Sequence, residues 1–134
     1  MPTIEQAIAT FGVTVDEHLD RQAEIPILSG LQFQGDVAVV PVNRDPARTP
    51  VPETGVPIVR GQGGANTHLL LATGKAFFTP ERFGGGMVLG VLTVTEDATA
   101  YLAHPEHAFT GIAPGTYELR RQREQADDTR LVAD

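Results

Sequence analysis

Glycine and proline constrain this chain most: 14 glycines and 10 prolines among 134 residues leave few uninterrupted stretches long enough for an ordinary helix. They cut the sequence into short apolar pieces bounded by turn signals, which favours many strands over long helices. From residue 27 onward, segments 37–40, 56–60, 67–72, 76–78, 87–95, 98–103, 108–112 and 116–125 read as strands. Thr73-Gly74-Lys75 reads as the loop of a hairpin joining 67–72 to 76–78. The expected class is mainly β, a small barrel or sandwich of about seven to eight short antiparallel strands with an N-terminal helical arm.

The arm is the exception to the extended pattern. Thr3 with Gln6, and Thr14 with Glu17, have capping-box spacing, so residues 3–24 predict two short helices separated at Gly12. Ile4, Ala7, Ile8 and Phe11 fall on one helical face. That face must pack on its own domain or on a neighbouring subunit. The expected organisation is a helical arm over 1–26, a β domain over 27–125, and a polar tail over 126–134. Pro46, Pro50, Pro52 and Pro57 make 43–57 a loop, too dense in proline for helix or central strand.

Composition removes several function classes. Cysteine is absent, so there is no disulfide framework, thiol nucleophile or cysteine metal site, and any metal must be held by nitrogen and oxygen. A net charge of −7 opposes general nucleic-acid binding, which depends on neutralising phosphates. Nine arginines against one lysine, Lys75, suit a GC-rich bacterial genome. No secretory pattern or membrane-spanning run is visible, so no membrane role is expected and a cytoplasmic location is.

The chemistry-bearing element is His104-Pro105-Glu106-His107. Proline fits the second position of a type I turn, which would bring the two histidines within roughly 7 Å as first and fourth residues. If 101–103 pairs with 108–110, the histidines face each other at the base of a hairpin. His68, in the otherwise apolar run Leu69-Leu70-Leu71, is the candidate third member. Three imidazoles with an open position make a catalytic zinc pattern, and Glu106 is the candidate general base or supporting partner. The same residues also suit a solvated hairpin tip and a core histidine bonded to a carbonyl. His18 reads as a surface residue.

Other signals are weaker. Gly61-Gln62-Gly63-Gly64 and Gly74-Lys75-Ala76 lack the P-loop hydroxyl and its βα context. Ser29, the only serine, has no nucleophile-elbow setting. Asp36 reads as a turn former in a Gly-Asp pair. In the last strand, Tyr117, Leu119, Arg121 and Arg123 share one face by alternation, with Glu118, Arg120, Gln122 and Glu124 on the other. An inward row that becomes charged marks a rim or subunit contact, and Arg121 and Arg123 are candidates to bind a carboxylate or phosphate.

Residues 31–125 resemble a family of small bacterial proteins with no assigned activity. The resemblance rests on Gly35-Asp36-Val37, Val40-Pro41-Val42, Val59-Arg60-Gly61, His104-Pro105-Glu106-His107, Pro114-Gly115-Thr116-Tyr117 and Arg121-Gln122-Arg123-Glu124. In that family the histidine strand commonly reads Gly-His-Ala-His and the later element His-Glu-Glu-His. The resemblance puts His68 at the second histidine of the strand and Asn66 at the first, so a four-histidine site becomes three. Asn66 retains an amide able to bond a ligand. The expected function is a metal-binding protein using His68, His104 and His107, with a divalent ion, zinc first, and a possible hydrolytic role. The alternatives are a homo-oligomeric structural or adaptor module, with a protein partner possible, and a small-ligand carrier.

Overall fold

In a computed structural model, which describes residues 2–13, 15, 20–59, 67–81 and 87–122, the chain forms two five-stranded sheets and one helix. The elements are α1 (Ile4–Phe11), β1 (Ile27–Leu28), β2 (Gln32–Gln34), β3 (Val37–Pro41), β4 (Val56–Val59), β5 (His68–Thr73), β6 (Ala76–Pro80), β7 (Val88–Val94), β8 (Thr99–His104), β9 (Ala108–Ile112) and β10 (Gly115–Arg121). One sheet runs β1-β9-β8-β5-β4 and the other β2-β3-β10-β7-β6. Ten strands replace the seven to eight expected, because 27–28 and 32–34 also pair. The sheets stack as a sandwich and do not close into a barrel. Apart from the parallel β1–β9 pair, the strand pairs are antiparallel.

The expected 67–72/76–78 hairpin is not formed. β5 pairs with β4 and β8, whereas β6 pairs with β7 in the opposite sheet. The turn at Gly74, whose φ is +84°, therefore carries the chain across the sandwich. A Cβ there would lie 3.0 Å from Ala98, so the crossing depends on glycine. The β7–β8 and β9–β10 connections change sheets in the same way.

Two apolar layers hold the elements together. Between the sheets pack Val37, Val39, Leu70, Leu92, Leu102, Ile112, Tyr117 and Leu119, all at most 1% exposed. On the outer face of the β5/β8/β9 sheet, Leu71, Tyr101, Ala103 and Phe109 pack beneath Ile4 and Ala7 of the helix. This explains why β5 and β8 are apolar on both faces, like strands of a doubly covered sheet. Thr3 caps α1 with the predicted box: its hydroxyl accepts the Gln6 N–H and the Gln6 side chain accepts the Thr3 N–H. Gly12 ends the helix in a left-handed conformation. Phe11 seats against Tyr101 and Phe109 with ring centroids 5.5 and 6.5 Å away, so the arm packs on its own domain. The expected second helix involves residues 14 and 16–19, outside the described residues; Asp20–Glu24 form a turn closed by a Thr3–Glu24 bridge.

The proline-rich loop is a strap. Ala47 and Arg48 donate backbone N–H groups to the Thr93 and Thr79 hydroxyls, and Arg44 pairs with Glu118 at 2.8 Å. Val51 donates to the Ala76 carbonyl and Phe78 to that of Thr49, so the strap runs along the β6 edge. Among the described residues no helix is long and apolar enough to cross a membrane.

Candidate functional site

Alternation carries the core rows of β5 and β8 to the same end of the sandwich. His68 continues the inward row of Leu70, and His104 that of Leu102, so both strands exchange an aliphatic residue for an imidazole where the sheets open. Among the described residues the buried polar side chains are Gln34, His68, His104 and Glu118. Three of those four meet at this end. Burying polar groups costs free energy unless they are bonded, so the concentration marks a site the fold maintains.

The structure brings His68, His104 and His107 together. Ring centroids are 4.5 Å apart for His68–His104, 4.4 Å for His104–His107 and 6.5 Å for His68–His107. The flanks pair as expected, but His104 stands opposite Ala108, and His107 lies in the turn. The turn is tightened by His104 itself, whose Nδ1 accepts the backbone N–H groups of Glu106 at 3.0 Å and His107 at 3.3 Å. Ala108 follows at φ 61°, the positive-φ residue that lets a type I turn re-enter a hairpin. Glu106 is exposed and enters this network through its backbone N–H.

Gly35 and Asp36, which the sequence reads as a turn, complete the cluster. Gly35 and Asp36 form the two-residue loop between β2 and β3, with Gln34 opposite Val37. The φ of +58° at Gly35 is the conformation a tight hairpin requires at its first loop position. A Cβ at Gly35 would lie 3.0 Å from His107 Nε2 and 3.4 Å from His68 Cε1, so only a glycine lets the loop come this close to the two rings. Asp36 Oδ1 then lies 3.3 Å from His68 Nε2, and its Oδ2 lies 3.8 Å from Arg121 Nε. Arg121 thus ends the inward row of β10 at a carboxylate of the same protein. The detectable signal was this unpaired charge on an apolar row, which calls for an anion nearby.

Hydrogen bonding fixes the orientation of the His68 ring. The Gln34 amide donates to the Leu102 carbonyl at 2.8 Å, which turns its oxygen to His68 Nδ1 at 3.0 Å. Nδ1 thus faces an acceptor, and Nε2 faces another, Asp36 Oδ1, at 3.3 Å. Burial, then the neighbouring His104, lowers the His68 pKa from 6.5 to about 4, with His107 acting in the same direction and Asp36 against it. At neutral pH His68 is an uncharged base.

Among the described residues, no group of three or more His, Cys, Asp or Glu side chains is arranged to hold a metal ion. Asn66, Arg123 and His18 lie outside the described residues. An open cavity of about 220 Å³, lined by Val13, Thr67, Leu69, Ala103, His104 and Pro105, adjoins the cluster through His104. Away from it, Glu118 sits between Arg120 and Arg44, whose hydrogen bonds hold its carboxyl below the usual range.

Comparison with curated proteins and with solved structures gives no match. A family model described as a domain of unknown function (DUF8820) matches residues 33–122, which run from β2 through β10 and include the whole histidine cluster. The chain belongs to this DUF8820 family.

Proposed function

We propose that this protein binds a divalent metal ion, zinc first, at the end of the sandwich where His68, His104 and His107 meet. The observation that carries the reading is the buried His68, its Nδ1 held against the Gln34 amide oxygen at 3.0 Å and its ring 4.5 Å from that of His104. A ligating histidine characteristically donates its other N–H to an oxygen that fixes the tautomer, which is the role Gln34 fills. Binding requires the side chains to close around the ion. His107 is exposed on a turn, so it can rotate without disturbing a strand. An ion held by two or three side chains keeps positions open for water, the requirement for hydrolytic chemistry, and the adjoining cavity gives a small molecule access.

The test is metal content of untagged protein, followed by zinc titration after chelation. Wild-type protein is expected to take up one zinc per chain, and His68→Gln to lose it while keeping its strand content. Uptake that survives in His68→Gln sinks the reading.

A second reading, a homo-oligomer, is favoured by Leu31 and Phe33, which are 58% and 53% exposed on and beside the edge strand β2, near exposed Leu28 of β1. Exposed apolar residues on unpaired edges are a surface that self-association would cover.

A further inference from the structure

The four sheet edges differ in how they are guarded. The strap covers the open side of β6, with the Val51 N–H bonded to Ala76 and the Phe78 N–H to Thr49. β4 carries Pro57, which has no N–H to offer, and its ladder shifts register between Pro57 and Val59. β1 is only two residues long. Covering segments, prolines, irregular ladders and short strands are the devices that keep an edge from pairing with another chain. β2 has a weaker guard. From Ile27 to Gly35 there is neither a proline nor a charged residue, in a chain of net charge −7. Among the described residues β2 pairs on one side only, with β3.

The open side of β2 is also arranged to receive a strand. Gln34 and Val37 flank the two-residue loop and so form a hydrogen-bonded pair, which makes Phe33 and Ala38 a non-bonded pair. The N–H and C=O of Phe33 therefore point away from β3. Gln32 and Gln34 face inward, where their amides donate to the Gly111 and Leu102 carbonyls of the opposite sheet. These two ties hold the strand in place, which lowers the ordering cost of any pairing. Phe33 faces outward by alternation, and both it and Leu31 are exposed.

We propose that β2 pairs antiparallel with β2 of a second copy, across a two-fold axis at Gln32, joining two five-stranded sheets into one of ten strands. The inference rests on the homo-oligomer reading above and names its strand and register. Leu31 of each copy then stands opposite the partner's Phe33, in two hydrogen-bonded pairs whose apolar side chains share the outer face. A second copy fits because the row is complementary to itself, as a two-fold interface requires. Two molecules of net charge −7 also approach best along an uncharged run. Leu31, Phe33 and neighbouring Leu28 offer roughly 300 Å² of apolar surface per copy, under half of the about 800 Å² per partner in a standard interface. That size suits a dimer that forms and parts with concentration. Gln34, Gly35 and Asp36 follow directly on the paired residues, so the two histidine clusters lie at opposite ends of the shared edge.

Sedimentation, amide exchange and cross-linking of the full chain test this. Wild type is expected to be a dimer at micromolar concentration, and Leu31→Glu a monomer with an unfolding temperature near that of wild type. The Phe33 amide should exchange about tenfold more slowly in wild type than in Leu31→Glu. Because the chain has no cysteine, Gln32→Cys carries a single thiol and keeps both apolar residues of the edge. Non-bonded partners stand about 4.5 Å apart at Cα, within the span of a disulfide, so mild oxidation should link Gln32→Cys into covalent dimers. A Leu31→Glu variant that stays dimeric overturns the pairing and leaves the oligomer reading intact. So does a dimeric wild type whose Phe33 amide exchanges as fast as in the monomer, or a dimeric Gln32→Cys that does not cross-link. Wild type that remains monomeric overturns both. If its Phe33 amide is then protected until residues 123–134 are removed, the edge belongs to the chain's own terminus.

Discussion

His68 shows how one residue's surroundings fix its chemistry. Burial and two neighbouring imidazoles outweigh the attraction of Asp36, whose side chain is 35% exposed and partly screened by water. The sign of the consequence follows. The unfolded chain accepts a proton at His68 near pH 6.5, whereas the fold resists it down to about 4. Between those values the unfolded state binds more protons, so metal-free stability is full above the upper value and falls as pH drops toward the lower one. The expected loss is on the order of 3 kcal/mol, levelling below pH 4. Urea unfolding with chelator present, from pH 7 to pH 4.5, checks it: His68→Gln should flatten the slope by close to one proton, and an unchanged slope overturns the assignment. At this scale the sequence was half legible. It nominated the three histidines from spacing and the apolar run around His68, but Asp36 looked like any turn aspartate. Its role exists only because β2 and β3 lie opposite β5.

At the scale of elements, local chemistry was legible wherever partners are near in sequence. The Thr3/Gln6 capping box, the Gly12 stop and the proline turn at 104–107 each rest on contacts within about four residues. Thr73-Gly74-Lys75 was not legible, since a three-residue turn suits a hairpin or a sheet crossing, and only the sheet chosen by the next strand decides. The 43–57 segment is a similar case: proline excluded helix and central strand, and the strap emerged from hydroxyls on β6 and β7. Thr93→Val should therefore release it. The substitution keeps shape but leaves the half-buried Ala47 N–H without its acceptor, a loss of about 1–3 kcal/mol. Amide hydrogen exchange should quicken at least tenfold at Ala47 and leave α1 unchanged; equal rates would show that the strap is held by other contacts.

For the whole molecule, the two sheets bury one core between them and a second beneath α1, which leaves apolar surface at the β1/β2 edges. Leu28, Leu31 and Phe33 sit there, with the unpaired side of β2 beside them. Wild-type protein is expected to run as a dimer or larger in sedimentation at micromolar concentration, and Phe33→Glu to shift it to monomer without lowering its unfolding temperature. A wild type that stays monomeric across that range removes the oligomer reading.

The sequence by itself determined the β class, the short strands, the capped first helix, the ban on thiol ligands and the turn that gathers His104 and His107. Each of these follows from a residue's own backbone preference or from neighbours a few positions away. Tertiary structure alone decided that the sheets stack without closing, that β5 and β6 part company, and that Gln34, Asp36 and Arg121 join the histidines. Those contacts link residues more than 30 positions apart, and they depend on which inward rows end together when the sheets pack.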